Sequence, residues 1–252
     1  MVRMIMHGCN GAMGRVITGL AAEDPDIEIV AGIDVSSGPD QGYPVFDSLN
    51  ACDVQADVVV DFASAKAADG LLDYCGSRAL PLVLCTTGLS EAQIIRVGET
   101  AEKTAVLRSA NMSLGVNLLM KLVQDAARVL ASSGFDIEIV EKHHRRKKDA
   151  PSGTALALAD SVNSAMEGAY HYTYDRSGRS EARDPKEIGI SAVRGGTIVG
   201  EHDVIFAGTD EVITLSHTAY SRAIFAKGAL AAAKFLAGRE PGLYDMADVI
   251  GL

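Results

Sequence analysis

The segment "VRMIMHGCNGAMG", residues 2–14, predicts the fold of the first half of the chain. Residues 2–7 are an apolar, strand-like run, and Gly8, Gly11 and Gly14 follow it at the start of a helical-looking segment. A glycine turn between a strand and a helix suits the pyrophosphate of a dinucleotide, because the backbone can approach closely and the helix offers free N–H groups. The spacing differs by one residue from the commonest G-x-G-x-x-G pattern, so a glycine-rich turn without a ligand is the alternative.

The residues after this turn continue an alternation of strands and helices. The strand-like runs are "IEIVAGID" (27–34), "ADVVVDFAS" (56–64), "LPLVLCTTG" (80–88) and "AVLRSAN" (105–111). The helical segments between them are 65–79 and 90–104, the second with Ser90 as its expected N-cap. Strands that alternate with helices over short connections predict an α/β fold with a doubly wound parallel sheet, the Rossmann arrangement.

The pattern changes after about residue 112. A long amphipathic helix is predicted over 113–134, then a strand, a second helix after residue 153, and three strand-like runs over 187–219. We interpret these runs as a mostly antiparallel meander and the polar stretch 169–188 as a surface loop. The last strong helix covers 221–238. The second half therefore predicts an α/β domain with an open mixed, mostly antiparallel sheet.

The composition excludes several classes of protein. The chain has 252 residues and a formal net charge of −10, which is unlike the basic footprint of a general nucleic-acid-binding protein. No apolar run reaches the ~18 residues that cross a bilayer, and the N-terminus lacks a secretory signal pattern. The 4 cysteines form no C-x-x-C pair, which argues against a zinc site and against a disulfide framework. A cytoplasmic protein without membrane or nucleic-acid partners is expected.

Asp34 is placed to bind the ribose of a dinucleotide. It ends the second predicted strand, 20 residues after Gly14, where an acidic side chain accepts hydrogen bonds from the adenosine ribose. A surface turn is the alternative explanation for this aspartate. Val35, Ser36 and Ser37 include no arginine for the 2′-phosphate of NADPH, which favours NADH, although the small serines leave room for a phosphate.

The stretch "EKHHRRKKDAPSGTA", residues 141–155, is a second candidate site. Residues 142–148 are all Lys, Arg or His in a chain that is acidic overall. His143 and Lys147 are four residues apart and can share a face of a strand or a helix. Neighbouring cations disfavour further positive charge, which should lower the pKa of both side chains and would make the lysine a better proton donor near neutral pH.

The basic stretch runs into Pro151-Ser152-Gly153-Thr154 at the head of an apolar helix. Cations beside a helix N-terminus suit a small polyanion such as a dicarboxylate. A solvated basic loop is the plain alternative. A metal site is poorly supported because carboxylates are few here, and a nucleic-acid contact is disfavoured because no aromatic residue is available to stack on bases.

Together these motifs resemble the dihydrodipicolinate reductase family of bacterial lysine and diaminopimelate synthesis, also called 4-hydroxy-tetrahydrodipicolinate reductases. The resemblance covers nearly the whole chain and rests on "GCNGAMGR", "DFAS", "CTTG", "SANMSLGVN", "EKHHRRKKDAPSGTA", "RGGTIVGEHDVIFAG" and "SRAIFAKGA". It implies a Rossmann domain over 1–112 to which 221–252 returns, and an α/β domain over 113–220 whose open sheet builds a homotetramer. The implied activity is the reduction of an unsaturated cyclic dicarboxylate to tetrahydrodipicolinate with NADH or NADPH.

The resemblance also implies roles for single residues. His143 matches the catalytic histidine of the family and Lys147 its proton-donating lysine, and no metal is implied. The positions that match substrate contacts are His144, Gly153 and Thr154. The positions that match coenzyme contacts are Gly8, Cys9, Asn10, Gly11, Ala12 and Met13 in the pyrophosphate loop, Asp34 at the ribose, and Cys85, Thr86, Thr87, Ser109, Ala110, Asn111 and Met112 on the nicotinamide side.

The sequence departs from the family pattern in three places. Cys85 stands where the family often has glycine, "DFAS" replaces the more usual "DFT" or "DFS", and no arginine follows Asp34. The last departure affects coenzyme preference and leaves the reaction class unchanged. Two other functions stay open: a nicotinamide-dependent reductase of a different small imine or oxo acid, and a non-catalytic NAD-sensing module.

Overall fold

The computed structural model describes residues 1–252 and divides into two compact units. Unit 1 consists of Met1–Ser113 and Ala223–Gly251, and unit 2 consists of Leu114–Arg222 together with Leu252. All four cysteines are free thiols. None of the helices combines the length and the apolar character that a membrane span requires.

Unit 1 contains a seven-stranded sheet in which every pairing is parallel. Its strands are β1 (Val2–His7), β2 (Ile27–Ile33), β3 (Val45–Phe46), β4 (Val58–Asp61), β5 (Leu82–Leu84), β6 (Ala105–Leu107) and, from the far end of the chain, β12 (Gly242–Tyr244). The order across the sheet is β12-β6-β5-β4-β1-β2-β3. The strand order reverses at β1, and such a reversal forms a ligand crevice at the carboxyl ends of the strands.

Helices cover both faces of this sheet. They are α1 (Ala12–Ala21), α2 (Ala68–Arg78), α3 (Glu91–Ala101), α6 (Ala223–Leu236) and α7 (Met246–Ile250). Successive strand residues point to opposite faces, so Met4 and Met6 join the core under α1 and α6, whereas Ile5 joins the core under α2 and α3. The predicted doubly wound Rossmann arrangement is confirmed.

Unit 2 contains a five-stranded mixed sheet with two helices on one face. Its elements are α4 (Leu114–Leu130), β7 (Asp136–His143), α5 (Gly153–Ala165), β8 (His171–Thr173), β9 (Glu187–Arg194), β10 (Gly200–Ala207) and β11 (Val212–Ala219). The order is β11-β10-β7-β9-β8. Strand β10 runs antiparallel to β11 and β7, whereas β9 runs parallel to β7 and β8. The predicted open mixed sheet is confirmed.

Two details of unit 2 differ from the sequence-based expectation. The prediction of a meander over 187–219 is wrong, because β7 lies between β9 and β10 and pairs with both. The stretch 169–188 is more than a surface loop, because it contains β8 and the start of β9. Both differences arise from long-range pairing with β7, which local turn signals do not encode.

Strand β7 lies at the centre of unit 2 and alternates strictly between its two faces. Ile137 and Ile139 are fully buried against the helices, together with Leu158 of α5 and Phe206 of β10. The same face continues to Glu141 and His143, which are also buried. The apolar core of unit 2 therefore gives way to polar side chains at the end of the sheet where α5 begins.

Candidate active site

The glycine turn of unit 1 cannot accept side chains at two of its positions. Gly8 has a φ of 83°, and a Cβ there would lie 2.9 Å from the carbonyl carbon and oxygen of Phe62. At Gly14, a Cβ would collide with the backbone carbonyl oxygens of Gly8 and Cys9. The turn and the first turn of α1 are therefore pressed together by backbone contacts, which is the packing that a dinucleotide loop requires.

The N-terminus of α1 is open to an anion. Gly11 occupies the N-cap position and provides no side-chain hydrogen bond, so the amides of the first turn have no cap of their own. A cavity of about 700 Å³ lies beside this turn and is lined by Gly8, Gly11, Asp34 and Lys66. Its volume is in the range of cofactor pockets, roughly 300–1,000 Å³.

Asp34 ties the glycine turn to the segment after β2. Its Oδ2 accepts a hydrogen bond of 2.9 Å from the Asn10 amide, and its Oδ1 accepts bonds of 2.9 and 2.7 Å from the amide and hydroxyl of Ser36. Burial opposes ionisation, but the hydrogen bonds from Ser36 and Asn10 outweigh it and lower the pKa of Asp34 below its ordinary value. The side chain is therefore an ionised acceptor on the cavity wall.

The other predicted coenzyme positions lie beyond the carboxyl ends of parallel strands in the same unit. Cys85, Thr86 and Thr87 follow β5, and Ser109–Met112 come after β6. The side chains of Cys9 and Met112 are buried in the core of unit 1. At these two positions a ligand would meet backbone, so side-chain chemistry cannot be the reason for a role in binding.

Sequence reasoning missed a buried pair beside the glycine turn. His7 Nδ1 lies 2.7 Å from Asp61 Oδ1, at the carboxyl ends of β1 and β4. His7 lines the cavity, and Asp61 Oδ2 is buried without a hydrogen-bond partner. The pairing of β1 with β4 puts the two side chains together across 54 residues of chain, which no local motif indicates.

In unit 2, the strand alternation separates the basic stretch into different environments. Lys142 lies on the face of β7 opposite to His143 and pairs with Glu201 and Asp203 at 3.0 and 3.1 Å. Lys147 lies in the loop after β7 and pairs with Asp149 at 2.8 Å. Because Lys147 is outside any strand or helix, the argument that it shares a face with His143 is wrong.

Glu141 is the centre of the polar cluster at the end of β7. Its Oε2 lies 2.6 Å from His143 Nδ1 and accepts a hydrogen bond of 2.7 Å from Arg194 Nη1. Its Oε1 accepts hydrogen bonds of 2.6 Å from Arg194 Nη2 and 2.9 Å from the Ser152 amide. Burial raises the pKa of Glu141, but these hydrogen bonds outweigh it and leave the pKa below its ordinary value. The buried carboxylate is thus ionised and fully partnered.

His143 is buried and neutral near pH 7. Burial lowers its pKa, the hydrogen bond to Glu141 opposes this effect, and the net pKa lies below the ordinary value. The charges of Lys147 and Arg194 act in the same direction as burial. The expected depression is therefore present at His143, but its main cause is desolvation rather than the neighbouring cations.

The predicted substrate helix begins at this cluster. Ser152 is the N-cap of α5 and accepts a hydrogen bond of 3.1 Å from the Ala155 amide, and Gly153 and Thr154 form the first turn. Ser152 Oγ also lies 2.9 Å from Nε2 of His202, a buried histidine on β10. Burial, together with the repulsion between this ring and that of His143 when both are protonated, lowers the pKa of His202 to about 4, so the ring is neutral at pH 7.

Sequence reasoning missed Glu141, Arg194 and His202. The alternation of β7 could have indicated Glu141, because residues 139, 141 and 143 share one face of a strand. Arg194 and His202 depend on the sheet register, which opposes Arg194 to His143 and His202 to Glu141. That register is set by non-local pairing and has no local signal.

Two family descriptions match this chain. Residues 2–112 match "Dihydrodipicolinate reductase, N-terminus", and residues 115–250 match "Dihydrodipicolinate reductase, C-terminus". A Caldanaerobacter subterraneus subsp. tengcongensis protein named 4-hydroxy-tetrahydrodipicolinate reductase is 54% identical over 99% of this chain and 98% of its own. A protein of the same name from Clostridium tetani is 48% identical over 98% of this chain and 96% of its own.

Solved structures share the fold. The dipicolinate-bound dihydrodipicolinate reductase of Paenisporosarcina sp. TG-14 matches with a TM-score of 0.83 over 99% of both chains, at 24% identity. A probable dehydrogenase from Thermotoga maritima matches with a TM-score of 0.65 over 98% of this chain and 92% of that chain, at 12% identity. At these identities the two structures support the fold alone.

Proposed function

The chain belongs to the dihydrodipicolinate reductase family, and we propose that it reduces 4-hydroxy-tetrahydrodipicolinate to tetrahydrodipicolinate with a nicotinamide coenzyme. This reaction belongs to the diaminopimelate route of lysine synthesis. One observation carries the proposal: a single segment of unit 2 joins a buried histidine, a lysine and the N-cap of a helix. These groups are suited to binding a dicarboxylate and delivering a proton.

The residues of the glycine turn fit a dinucleotide. Gly8 and Gly14 have no room for a side chain, and α1 begins without a side-chain cap. We propose that the amides of residues 8–13 hold the pyrophosphate and that Asp34 accepts hydrogen bonds from the hydroxyl groups of the adenosine ribose. When bound, the coenzyme supplies the hydride. We propose a preference for NADH, because the Asp34 carboxylate would repel a 2′-phosphate and no arginine follows it.

The substrate is a dianion, and a protein with a net charge of −10 needs local positive potential to bind it. Gly153 and Thr154, in the first turn of α5, are suited to one carboxylate, with His144 as a further contact. The reaction removes the 4-hydroxyl group together with a neighbouring ring hydrogen as water and adds one hydride and one proton to the ring. We assign delivery of the proton to Lys147 or His143.

Assembly and compartment are further parts of the proposal. We expect a homotetramer built through the face of the unit 2 sheet that α4 and α5 leave uncovered. Val193 of β9 and Val212 of β11 are exposed large apolar side chains, which an assembly could cover. The four free thiols fit a reduced, cytoplasmic compartment. Light scattering of the purified protein tests the tetramer directly.

A coupled assay tests the reaction. A synthase supplies the substrate from pyruvate and aspartate semialdehyde, and the loss of reduced-coenzyme absorbance is followed with NADH and with NADPH in parallel. We expect coenzyme consumption that depends on the synthase and is faster at limiting NADH than at limiting NADPH. Tight coenzyme binding without any substrate-dependent turnover would contradict the proposed reaction.

A further inference from the structure

We infer that Glu141, held by Arg194, is a positioning residue that fixes both the hydrogen-bonding state of His143 and the start of the substrate helix α5. The inference rests on the proposed function, because it assigns Glu141 a role through His143 and Ser152. It adds to that site two groups that lie outside the run of cations at 142–148, Glu141 and Arg194. Four observations support it in turn.

The first observation is that every acceptor position of the Glu141 carboxylate is used. Each oxygen receives one nitrogen of the Arg194 guanidinium, at 2.6 and 2.7 Å. The remaining positions are taken by His143 Nδ1 at 2.6 Å and by the Ser152 amide at 2.9 Å. The side chain is 0% exposed, so no water competes for it. A carboxylate with four fixed partners can hardly rotate without breaking several hydrogen bonds.

The second observation concerns the proton on His143. Arg194 and the Ser152 amide can only donate, and an ionised carboxylate can only accept. Nδ1 of His143 must therefore donate to Glu141, and Nε2 is left as the ring atom that can gain or lose a proton. A Glu141 in this position excludes the other neutral tautomer of His143.

The third observation is the space beside Nε2. Gly200 of β10 immediately precedes Glu201, which pairs with Lys142 of β7, and a Cβ at Gly200 would come within 3.1 Å of His143 Nε2. The absence of a side chain on β10 leaves the proton-exchanging edge of the ring uncrowded. The ring contacts His202 edge-on instead, with centroids 5.2 Å apart.

The fourth observation is that Arg194 also reaches the substrate loop. Its Nη2 donates a hydrogen bond of 2.6 Å to the carbonyl oxygen of Asp149, three residues before Ser152. Glu141 and Arg194 together hold both ends of the short segment between Asp149 and the N-cap of α5. One buried ion pair, Glu141–Arg194, therefore positions both the proposed catalytic histidine and the proposed carboxylate-binding turn of α5.

The charged and titratable groups that face His143 are few. They are Glu141 on its own strand, Arg194 on β9, His202 on β10 and Lys147 in the following loop. Of these, only Glu141 contacts the ring through a hydrogen bond. A change at Glu141 should therefore alter the acid–base behaviour of His143 more than a change at any other neighbour.

The wild-type protein provides the first test. Nitrogen-15 NMR of histidine-labelled protein, assigned by the signal lost in His143→Gln, reports which ring nitrogen of His143 carries the proton. We expect Nδ1 to be protonated and Nε2 to be unprotonated at neutral pH. A predominance of the Nε2–H tautomer would overturn the inference, and this measurement does not depend on any Glu141 variant folding.

The second test compares two glutamates of β7. Glu141→Gln should lower kcat by roughly 100-fold, as loss of an orienting partner does, and should shift the pH–rate profile. Glu138→Gln is the matched control, because Glu138 lies on the opposite face of the same strand and is likewise held by arginine side chains, here Arg176 and Arg183. The control should keep the wild-type profile.

The outcomes separate the inference from the proposed function. An active wild type with a Glu141→Gln variant that matches Glu138→Gln in kcat and pH profile would refute the inference and leave the reductase function standing. A wild type that binds coenzyme but turns over no substrate would refute the function, while the NMR result would still decide the hydrogen-bonding state of His143.

Discussion

Asp34 Oδ2 accepts a hydrogen bond of 2.9 Å from the backbone amide of Asn10, so the acid at the end of β2 is fastened to the glycine turn. One side chain thus serves the shape of the turn and lines the cavity beside it. Removing this carboxylate should affect the two coenzymes unequally, because only NADPH carries a 2′-phosphate for it to repel.

We expect Asp34→Ala to lower kcat/KM for NADH by about 10–100-fold, the effect of one charge-assisted hydrogen bond. The loss with NADPH should be smaller, because a repulsion disappears together with the loop contact. Asp40→Ala is the control, since Asp40 is exposed and accepts only the Gly42 amide at 3.0 Å. Steady-state kinetics with both coenzymes measure the ratio, and equal losses would remove the specificity role of Asp34.

Two glycines of α1 should respond oppositely to alanine. A Cβ at Gly14 meets backbone carbonyl oxygens that cannot move away, so Gly14→Ala should lower the free energy of unfolding by about 2–3 kcal/mol. Gly19 lies in the same helix with nothing near its Cβ position, and Gly19→Ala should raise that free energy by about 1 kcal/mol. Urea denaturation of both variants is the measurement, and a stable Gly14→Ala would show that the turn can relax.

The two candidates for proton delivery can be tested separately. His143→Gln and Lys147→Ala should each lower kcat by roughly 100-fold or more, the usual contribution of a positioned acid or base. Lys148→Ala should stay within a few-fold of the wild type, because Lys148 is an exposed cation of the same loop. The pH dependence of kcat in the less damaged variant identifies the remaining donor. A wild-type rate in either variant would remove the role assigned to that residue.

His202 should make the protein sensitive to acid. Its pKa falls from the ordinary 6.5 to about 4 in the folded state, so protonation favours the unfolded chain. The stabilisation is complete above pH 6.5 and is lost as the pH falls from 6.5 to 4, by about 3 kcal/mol in total.

Urea denaturation across this pH range compares His202→Gln with the wild type. The variant should be less stable near pH 7 but should lose less stability on acidification. His171→Gln is the control, because His171 is 57% exposed in the same unit. A variant and a wild type with parallel pH dependence would show that His202 does not cause the acid loss.

The fold of unit 1 was predictable because its signals are local. The glycine turn after β1 and the Ser90 N-cap act over a few residues, and the cap is confirmed by a bond of 3.2 Å from the Gln93 amide to Ser90 Oγ. The short strands β3 and β12 were not predictable, because two or three residues become a strand only when a neighbour pairs with them.

The candidate site of unit 2 was only half predictable for a related reason. His143 and Lys147 could be identified from the unusual basic stretch. Their partners could not, because Arg194 binds Glu141 across 53 residues of sequence and His202 contacts Ser152 across 50. These partners depend on β9 and β10 flanking β7, which the expected meander did not include. Predicting the environment that sets the pKa of His143 would therefore have required knowledge of the strand order in the sheet.

The return of the chain to unit 1 has a consequence for biosynthesis. Helix α6 fills one core of unit 1, and β12 covers the edge of β6. On a translating ribosome, residues 1–113 emerge with a bare apolar face and an open strand edge, and both persist until residues 223–251 have left the exit tunnel. We therefore expect the nascent first half to expose surface that chaperones bind, whereas residues 114–222 of unit 2 form one continuous stretch that can fold while synthesis proceeds.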